Sequence, residues 1–230
     1  MKIACFLYPD FTTIDLVGPL SPWSHIPGVE LEFVAANKGP MATDSRLSVL
    51  ATHSLDSFTP NPDVIFVPGA GRPTFDAMQN DAFLDAIARA GAQAKWITSV
   101  CTGSLILGAA GLLEGYRAAC HWYARPYLEK FGAIPDDRRV VIDRNRASGG
   151  GVTAGIDFGL RMAAEWVGED TARLIELIME YAPEPPFNTG RPELVDAQTL
   201  SIAKQMAAQI MPEELATIAA KRRGLLHLGA

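Results

Sequence analysis

The sequence predicts an α/β domain built on a mostly parallel central sheet. Three features point there. Apolar, β-branched runs alternate with helical stretches of roughly 10–15 residues, the pattern of βαβ units whose helices cover both faces of a sheet. Neither an internal repeat nor a linker-like change of composition divides the chain, so residues 1–230 read as one domain. And an apolar run ending at Val100 passes straight into a stretch of small residues, with Cys101 at the junction.

Taken in order, residues 2–8 read as a buried first strand, closed by Pro9 and Asp10. Residues 13–25 carry helical apolar spacing, interrupted by Gly18, Pro19 and Pro22. Residues 29–35 alternate as a second strand, and 39–57, rich in small polar residues, predict a hairpin or short antiparallel strands. Residues 63–67 form a strand that ends in the tight turn Pro68-Gly69-Ala70-Gly71. A helical stretch follows over 74–94, with Asp81 as the cap of its second half. Residues 95–100 are an apolar strand and 102–113 a helix. Short strands are expected at 117–120, 140–142 and 146–148, and helices at 123–131, 153–167, 170–181 and 195–209. The three prolines within 182–191 require a loop. A final helix over 213–223 ends in Lys221-Arg222-Arg223, where cations suit the helix dipole. Residues 191–230 thus form a helical C-terminal extension of the domain.

Composition narrows the function. Apolar residues are 48% and charged residues 20% of the chain, an ordinary globular balance. A net charge of -6 opposes binding to nucleic acid or to anionic membranes, both of which reward lysine and arginine. No apolar run reaches the ~20 residues that span a bilayer. The start of the chain, interrupted by Pro9 and Asp10, reads as a core strand and not as a signal peptide. Three cysteines without a CxxC pair point to a reducing compartment, with the cytoplasm as the default location. Four histidines (His25, His53, His121, His227) show no HxH or HxxxH spacing, so no metal site is legible. No metal or organic cofactor is expected.

Chemistry concentrates at residues 96–104, Trp-Ile-Thr-Ser-Val-Cys-Thr-Gly-Ser. An apolar strand runs into a helix with Cys101 at the junction and Gly103 two positions on. That is the layout of a nucleophile elbow, whose tight turn needs small neighbours. A helix N-terminus beneath the sulfur favours thiolate, which predicts an exposed thiol with a depressed pKa. The same residues fit a packed, inert cysteine, and local pattern does not separate the two. Cys5 and Cys120, inside apolar strands, read as packing residues.

Ligands of open α/β sheets bind beyond the carboxyl ends of the strands. That rule gathers Gly69, Ala70 and Gly71, whose N–H groups, with that of Thr102, are candidates to bind a developing negative charge. It also gathers Gly150 and Val152, in the glycine run before the helix at 153, where a ligand can approach backbone closely. Asp15, flanked by Ile14 and Leu16, reads locally as a cap or turn residue. A carboxyl in apolar company is nevertheless costly unless paired or functional. His121 fits a catalytic base and a structural side chain alike. The cluster Lys221-Arg222-Arg223 reads as a solvated helix end, too small for a nucleic-acid footprint.

VCTGSLILGAAGLL at 100–113, followed by AACHW at 118–122, resembles the ThiJ/PfpI superfamily of class I glutamine amidotransferase-like domains. DLVGP at 15–19 and GGGVTAGIDFGL at 149–160 belong to the same pattern, and EYAPEPPFNTG at 180–190 narrows the likeness to the isonitrile (isocyanide) hydratase group. The resemblance spans residues 2 to about 190. It implies a flavodoxin-like three-layer sandwich, a homodimer, and hydration of a small-molecule isocyanide to an N-substituted formamide through a covalent cysteine thioimidate. That is the reaction of a cyclohexyl-isocyanide hydratase, a carbon–nitrogen hydro-lyase. By position, Cys101 matches the family's nucleophile, Asp15 its acidic partner, and Thr102 the residue whose hydroxyl and N–H lie in the same site. The likeness turns Asp15 from a cap into a functional carboxylate that gives and takes protons, with Thr102 as a relay. An apolar pocket for a group such as cyclohexyl is expected beside it.

Three positions depart from relatives. Peptidase-like members carry a histidine directly after the nucleophile, where Thr102 stands here. Many relatives have Gly-Gly after the third strand's proline, where this chain has Gly69-Ala70, and glyoxalase-like and stress-protective members carry glutamate where it has Asp15. The alternatives are a glyoxalase-like or redox-active cysteine protein of the same superfamily, or a ligand-sensing domain of an AraC-type regulator. The regulator needs roughly 100 further residues for two helix-turn-helix units, and only about 40 follow the proline loop.

Overall fold

The computed structural model describes residues 1–212 and 215–228, with the side chains of 216 and 223–228 left out of the description. Strand β1 (Lys2–Phe6) is followed by α1 (Thr13–Trp23), β2 (Glu30–Ala35), the hairpin strands β3 (Gly39–Ala42) and β4 (Ser48–Ala51), β5 (His53–Ser54) and β6 (Val64–Val67). Helices α2 (Arg72–Ala77) and α3 (Asp81–Gly91) lead to β7 (Trp96–Val100) and α4 (Gly103–Ala109). Then come β8 (Arg117–Ala118), a 3-10 helix over Arg125–Phe131, β9 (Ile134–Pro135), β10 (Val140–Asp143) and β11 (Arg146–Gly149). Helices α5 (Ala154–Val167), α6 (Glu169–Ile178), α7 (Ala197–Ile210) and α8 (Leu215–Leu228) close the chain.

The main sheet has seven strands in the order β10-β11-β7-β6-β1-β2-β5. All its pairs are parallel apart from β10 against β11. This is the flavodoxin-like sandwich. Strands covered on both faces lose the alternation of a half-buried strand, and Val64–Val67 and Ile3–Phe6 are accordingly buried at every position. Helices α1, α5 and α6 pack together as one layer, and α2, α3 and α8 gather round α4 as another. The chain leaves β1 for β2 on one side and later fills the other side with β6. That reversal is the topological switch point at which open α/β sheets hold ligands.

Helix α1 carries Asp15 and is held from two directions. Thr12 gives its N-terminus no side-chain cap; instead Asp44, from the β3–β4 hairpin, accepts the Thr13 N–H at 2.9 Å. On the other side α1 and α5 approach through small residues. A Cβ on Gly159 would lie 2.6 Å from Pro22 Cγ and 2.9 Å from the Pro19 carbonyl oxygen. The Trp23 indole donates to the Gly159 carbonyl at 3.1 Å and meets Phe66 edge-on at 5.4 Å. Overpacking such a seam costs about 1–3 kcal/mol. Gly159→Ala is therefore expected to lower the thermal midpoint by roughly 2–10 °C, read by circular dichroism.

Four local expectations are corrected. The stretch 74–94 is two helices, because Asn80 accepts the Phe83 N–H at 3.1 Å and restarts the chain; Asn80, not Asp81, is the cap. The helix expected over 102–113 stops at Ala109, shortly before the left-handed Gly111. Residues Arg125–Phe131 form a 3-10 helix and not an α-helix. Arg222 is no solvated helix end: it is buried, donates to Asp81 Oδ1 at 2.7 Å and reaches the Ala109 carbonyl at 3.2 Å. The expected start of the last helix at Glu213 and the side chain of Arg223 lie outside the described residues.

Candidate active site

Cys101 is the residue on which β7 becomes α4. Its backbone is left-handed, with φ 59, a conformation that costs a non-glycine residue about 1–3 kcal/mol and persists where surrounding structure enforces it. The enforcement is visible. The Cys101 N–H is shared between the carbonyls of Gly149 at 3.1 Å and Gly150 at 2.8 Å. Ser104 Oγ donates to the Cys101 carbonyl at 2.9 Å and reaches the Ala119 carbonyl at 2.7 Å. Gly103 sits so close to the end of β6 that a Cβ would overlap the Val67 carbonyl oxygen and lie 2.9 Å from that of Pro68. The small neighbour that an elbow requires is thus required by backbone, not by a side chain.

Asp15 is fully buried beside this turn. Its Oδ2 accepts the Gly69 N–H at 2.9 Å, while Oδ1 has no hydrogen-bond partner among the described residues. Burial pushes the carboxyl up to about 7, a rise added to by Asp44 and opposed by the Gly69 N–H and the Cys101 thiol. The thiol in turn is raised well above its ordinary value, first by burial, then by the Asp15 and Cys120 charges; only the Thr102 N–H acts to lower it. The expectation of an exposed thiol with a depressed pKa is therefore corrected. Cys101 is 2% exposed, and the helix-end effect is outweighed by burial.

The turn expected to bind negative charge is largely committed elsewhere. Gly69 N–H serves Asp15, and Ala70 N–H donates to Thr74 Oγ1 and Thr102 Oγ1, both at 2.9 Å. Neither is free for a substrate. Gly71 packs against Ile210 of α7, whose Cγ2 would lie 3.4 Å from a Cβ there. Thr102 is buried, but its hydroxyl donates to the Ala70 carbonyl at 2.7 Å and meets Thr74 Oγ1 at 2.8 Å, so it fastens the turn and is not placed as a relay. Thr74 extends the network to the Tyr8 hydroxyl at 3.1 Å, which donates to the Pro68 carbonyl at 3.0 Å. Thr74 and Tyr8 are not legible as site residues in the sequence: one reads as a helix start, the other as a strand end.

Gly150 and Val152 line a cavity of about 280 Å³ together with Cys120 and His121. Gly150 links it to the elbow through the Cys101 N–H, and its own N–H is taken by the Arg139 carbonyl at 2.8 Å. His121 is partly buried, its Nδ1 has no partner among the described residues, and burial pushes it down to about 4, which leaves it neutral. The apolar pocket expected here is not what the cavity offers, since four arginines line it. No group of three His, Cys, Asp or Glu among the described residues has the arrangement of a metal site.

The pattern of the DJ-1/PfpI family matches residues 1–165, which include Asp15, the 68–71 turn and the elbow. The chain belongs to the DJ-1/PfpI family. Among family relatives it is 43% identical to the isonitrile hydratase of Pseudomonas putida, over 90% of each chain. The crystal structure of a ThiJ/PfpI family protein from Pseudomonas syringae superposes with a TM-score of 0.91 at 41% identity, covering 95% of this chain and 90% of that one. The HTH-type transcriptional regulator GbdR of Pseudomonas aeruginosa is 29% identical over 78% of this chain but only 50% of its own. The DJ-1/PfpI match ends at residue 165, so α6, α7 and α8 lie beyond it.

Proposed function

We propose that this protein hydrates isocyanides to N-substituted formamides, with Cys101 as nucleophile and Asp15 as the group that carries protons. The observation that carries the reading is the buried Asp15–Cys101 pair, whose carboxyl titrates at about 7 with one oxygen unpartnered. The isonitrile hydratase relative supports it. Once ionised, Asp15 takes the Cys101 proton as sulfur attacks the terminal carbon of R–N≡C. The S–C bond forms and Asp15 passes the proton to that carbon, leaving the thioimidate R–N=CH–S–Cys101. Water then adds to the same carbon, one of its protons travelling through Asp15 to nitrogen. Collapse to R–NH–CHO breaks the C–S bond and returns the other proton to sulfur. A carboxyl poised near the working pH suits a group that must both accept and donate.

The test is formamide formation from cyclohexyl isocyanide by wild type and by Asp15→Asn. Turnover by wild type is expected, with kcat/KM rising as pH passes about 7, where the pair gives up its first proton. Asp15→Asn loses both turnover and that rise. Stability moves the other way. Because the folded carboxyl titrates above its unfolded value, stability contributed by Asp15 is lost as pH rises from about 4 to about 7. The amide introduced by Asp15→Asn keeps an acceptor for the Gly69 N–H and has nothing to ionise, so the thermal midpoint of that variant at pH 8 is expected at or above that of wild type. Absence of turnover by wild type with a reduced thiol sinks the hydratase reading.

The same reading includes a homodimer, a cytoplasmic location, and one domain over 1–230 with 191–230 as its extension. Apolar side chains exposed on the α1 and α6 layer, Val17, Leu174, Leu177 and Ile178, suit a second copy of the chain. Sedimentation at twice the monomer mass and a single calorimetric transition are the expected results. Among the described residues no helix is long and apolar enough to cross a membrane.

A further inference from the structure

The chain as a whole is acidic, with a net charge of -6. The cavity beside the elbow is the opposite: four arginines line it against two carboxylates, Asp137 and Glu193. Three of those arginines are already engaged. Arg138 holds Asp136 at 2.7 Å, Arg139 holds Asp157 at 2.6 Å, and Arg191 holds Glu193 at 2.6 Å. Arg125 differs. Its guanidinium makes no hydrogen bond or ion pair with the described residues, although it is half-buried and lines the same cavity as Cys120 and His121. Asp137, the remaining carboxylate, is exposed to solvent, which screens its charge. His121 adds a neutral ring. The N–H groups of Gly151 and Val152, in the turn just before α5, likewise meet no acceptor among the described residues. An unpaired guanidinium with free backbone donors in a concave site is an arrangement that fits a carboxylate.

The cavity is coupled to the reacting thiol. Its wall Gly150 accepts the Cys101 N–H at 2.8 Å, which sets the cavity directly against the elbow. We infer that the isocyanide taken by this site carries a carboxylate, held by Arg125 in the cavity between the 3-10 helix and the start of α5. The inference rests on the hydratase reading for its reacting group and supplies the rest of the substrate. The reaction itself is unchanged, and the product is an N-formylamino carboxylate.

The experiment compares kcat/KM for an isocyano carboxylate (isocyanoacetate) and for neutral cyclohexyl isocyanide, in wild type and Arg125→Gln. The acid-to-neutral ratio is expected to fall about tenfold or more in Arg125→Gln, the scale of a hydrogen bond to a charged group. Arg125→Lys, which keeps the charge, recovers part of the ratio. An equal fall on both substrates, or no change in the ratio, overturns the inference while leaving the hydratase reading intact. A second measurement separates the two. N-formylglycine binding, by titration calorimetry, is expected to weaken about tenfold in Arg125→Gln as well. If wild type turns over neither isocyanide, the hydratase reading falls and binding alone decides the anion site. Arg125-dependent binding then supports that site, and its absence overturns it.

Discussion

Cys101→Ser is expected to lower kcat/KM for isocyanide hydration by roughly 10³-fold or more, because the covalent step needs a soft nucleophile that a hydroxyl does not supply. The substitution is nearly isosteric and keeps a polar group facing Asp15, so a loss of this size reports chemistry and not collapse of the turn. Formamide release from cyclohexyl isocyanide measures it. Activity within a few-fold of wild type would remove Cys101 from the reaction. A companion variant separates strain from chemistry. Cys101 has φ 59, and glycine adopts that backbone without the penalty. Cys101→Gly is therefore expected to be about 1 kcal/mol more stable than Cys101→Ala in urea unfolding, with both inactive.

Gly103→Ala carries the largest expected effect on stability. The added methyl would meet the carbonyls of Val67 and Pro68, which are backbone atoms at the end of a central strand and have no rotamer in which to retreat. The variant is expected to lose about 3 kcal/mol or more, and roughly 6–12 °C of thermal midpoint. Gly190→Ala is the control. Nothing lies within 4 Å of a Cβ there, and its stability should match wild type. If Gly103→Ala melted with Gly190→Ala, the close approach of α4 to β6 would be wrong. The same substitution should remove activity even in the folded fraction, since Thr102 and the 68–71 turn are fastened through that approach.

What is legible in the sequence is what local chemistry writes down. The switch from Val100 to Gly103 has one apolar strand, one reactive side chain and one obligatory small residue, all within a few positions, so the elbow can be read directly. The parallel sheet follows from strand and helix alternation. Asp15 is less legible, because an acid between Ile14 and Leu16 reads the same whether it caps a helix or faces a thiol; the resemblance to a family moves it, not its neighbours. The charge state of the pair escapes the sequence for a physical reason. A helix end favours thiolate, but here burial and the facing carboxyl act against it and outweigh it. The cavity's polarity is invisible for another reason. Arg125, Arg138, Arg139 and Arg191 come from three distant stretches, and only the topology brings them to one wall. The commitment of the Gly69 and Ala70 N–H groups depends likewise on Asp15, Thr74 and Thr102, none adjacent to them.

Arg222 has a consequence for how the molecule is made. Its partners, Asp81 and the Ala109 carbonyl at the far end of the elbow helix, are separated from it by 141 and 113 residues. A ribosome adding about 5–20 residues per second needs roughly 6–23 s to cover the shorter gap. For that interval the strand, turn and helix around Cys101 have all been synthesised, while the side chain that clasps the helix's last turn has not. Closure of this end of the protein therefore waits until residue 222 has been made, and variants at Arg222 should show their defect first in yield from translation and only later in the melting curve of what has folded.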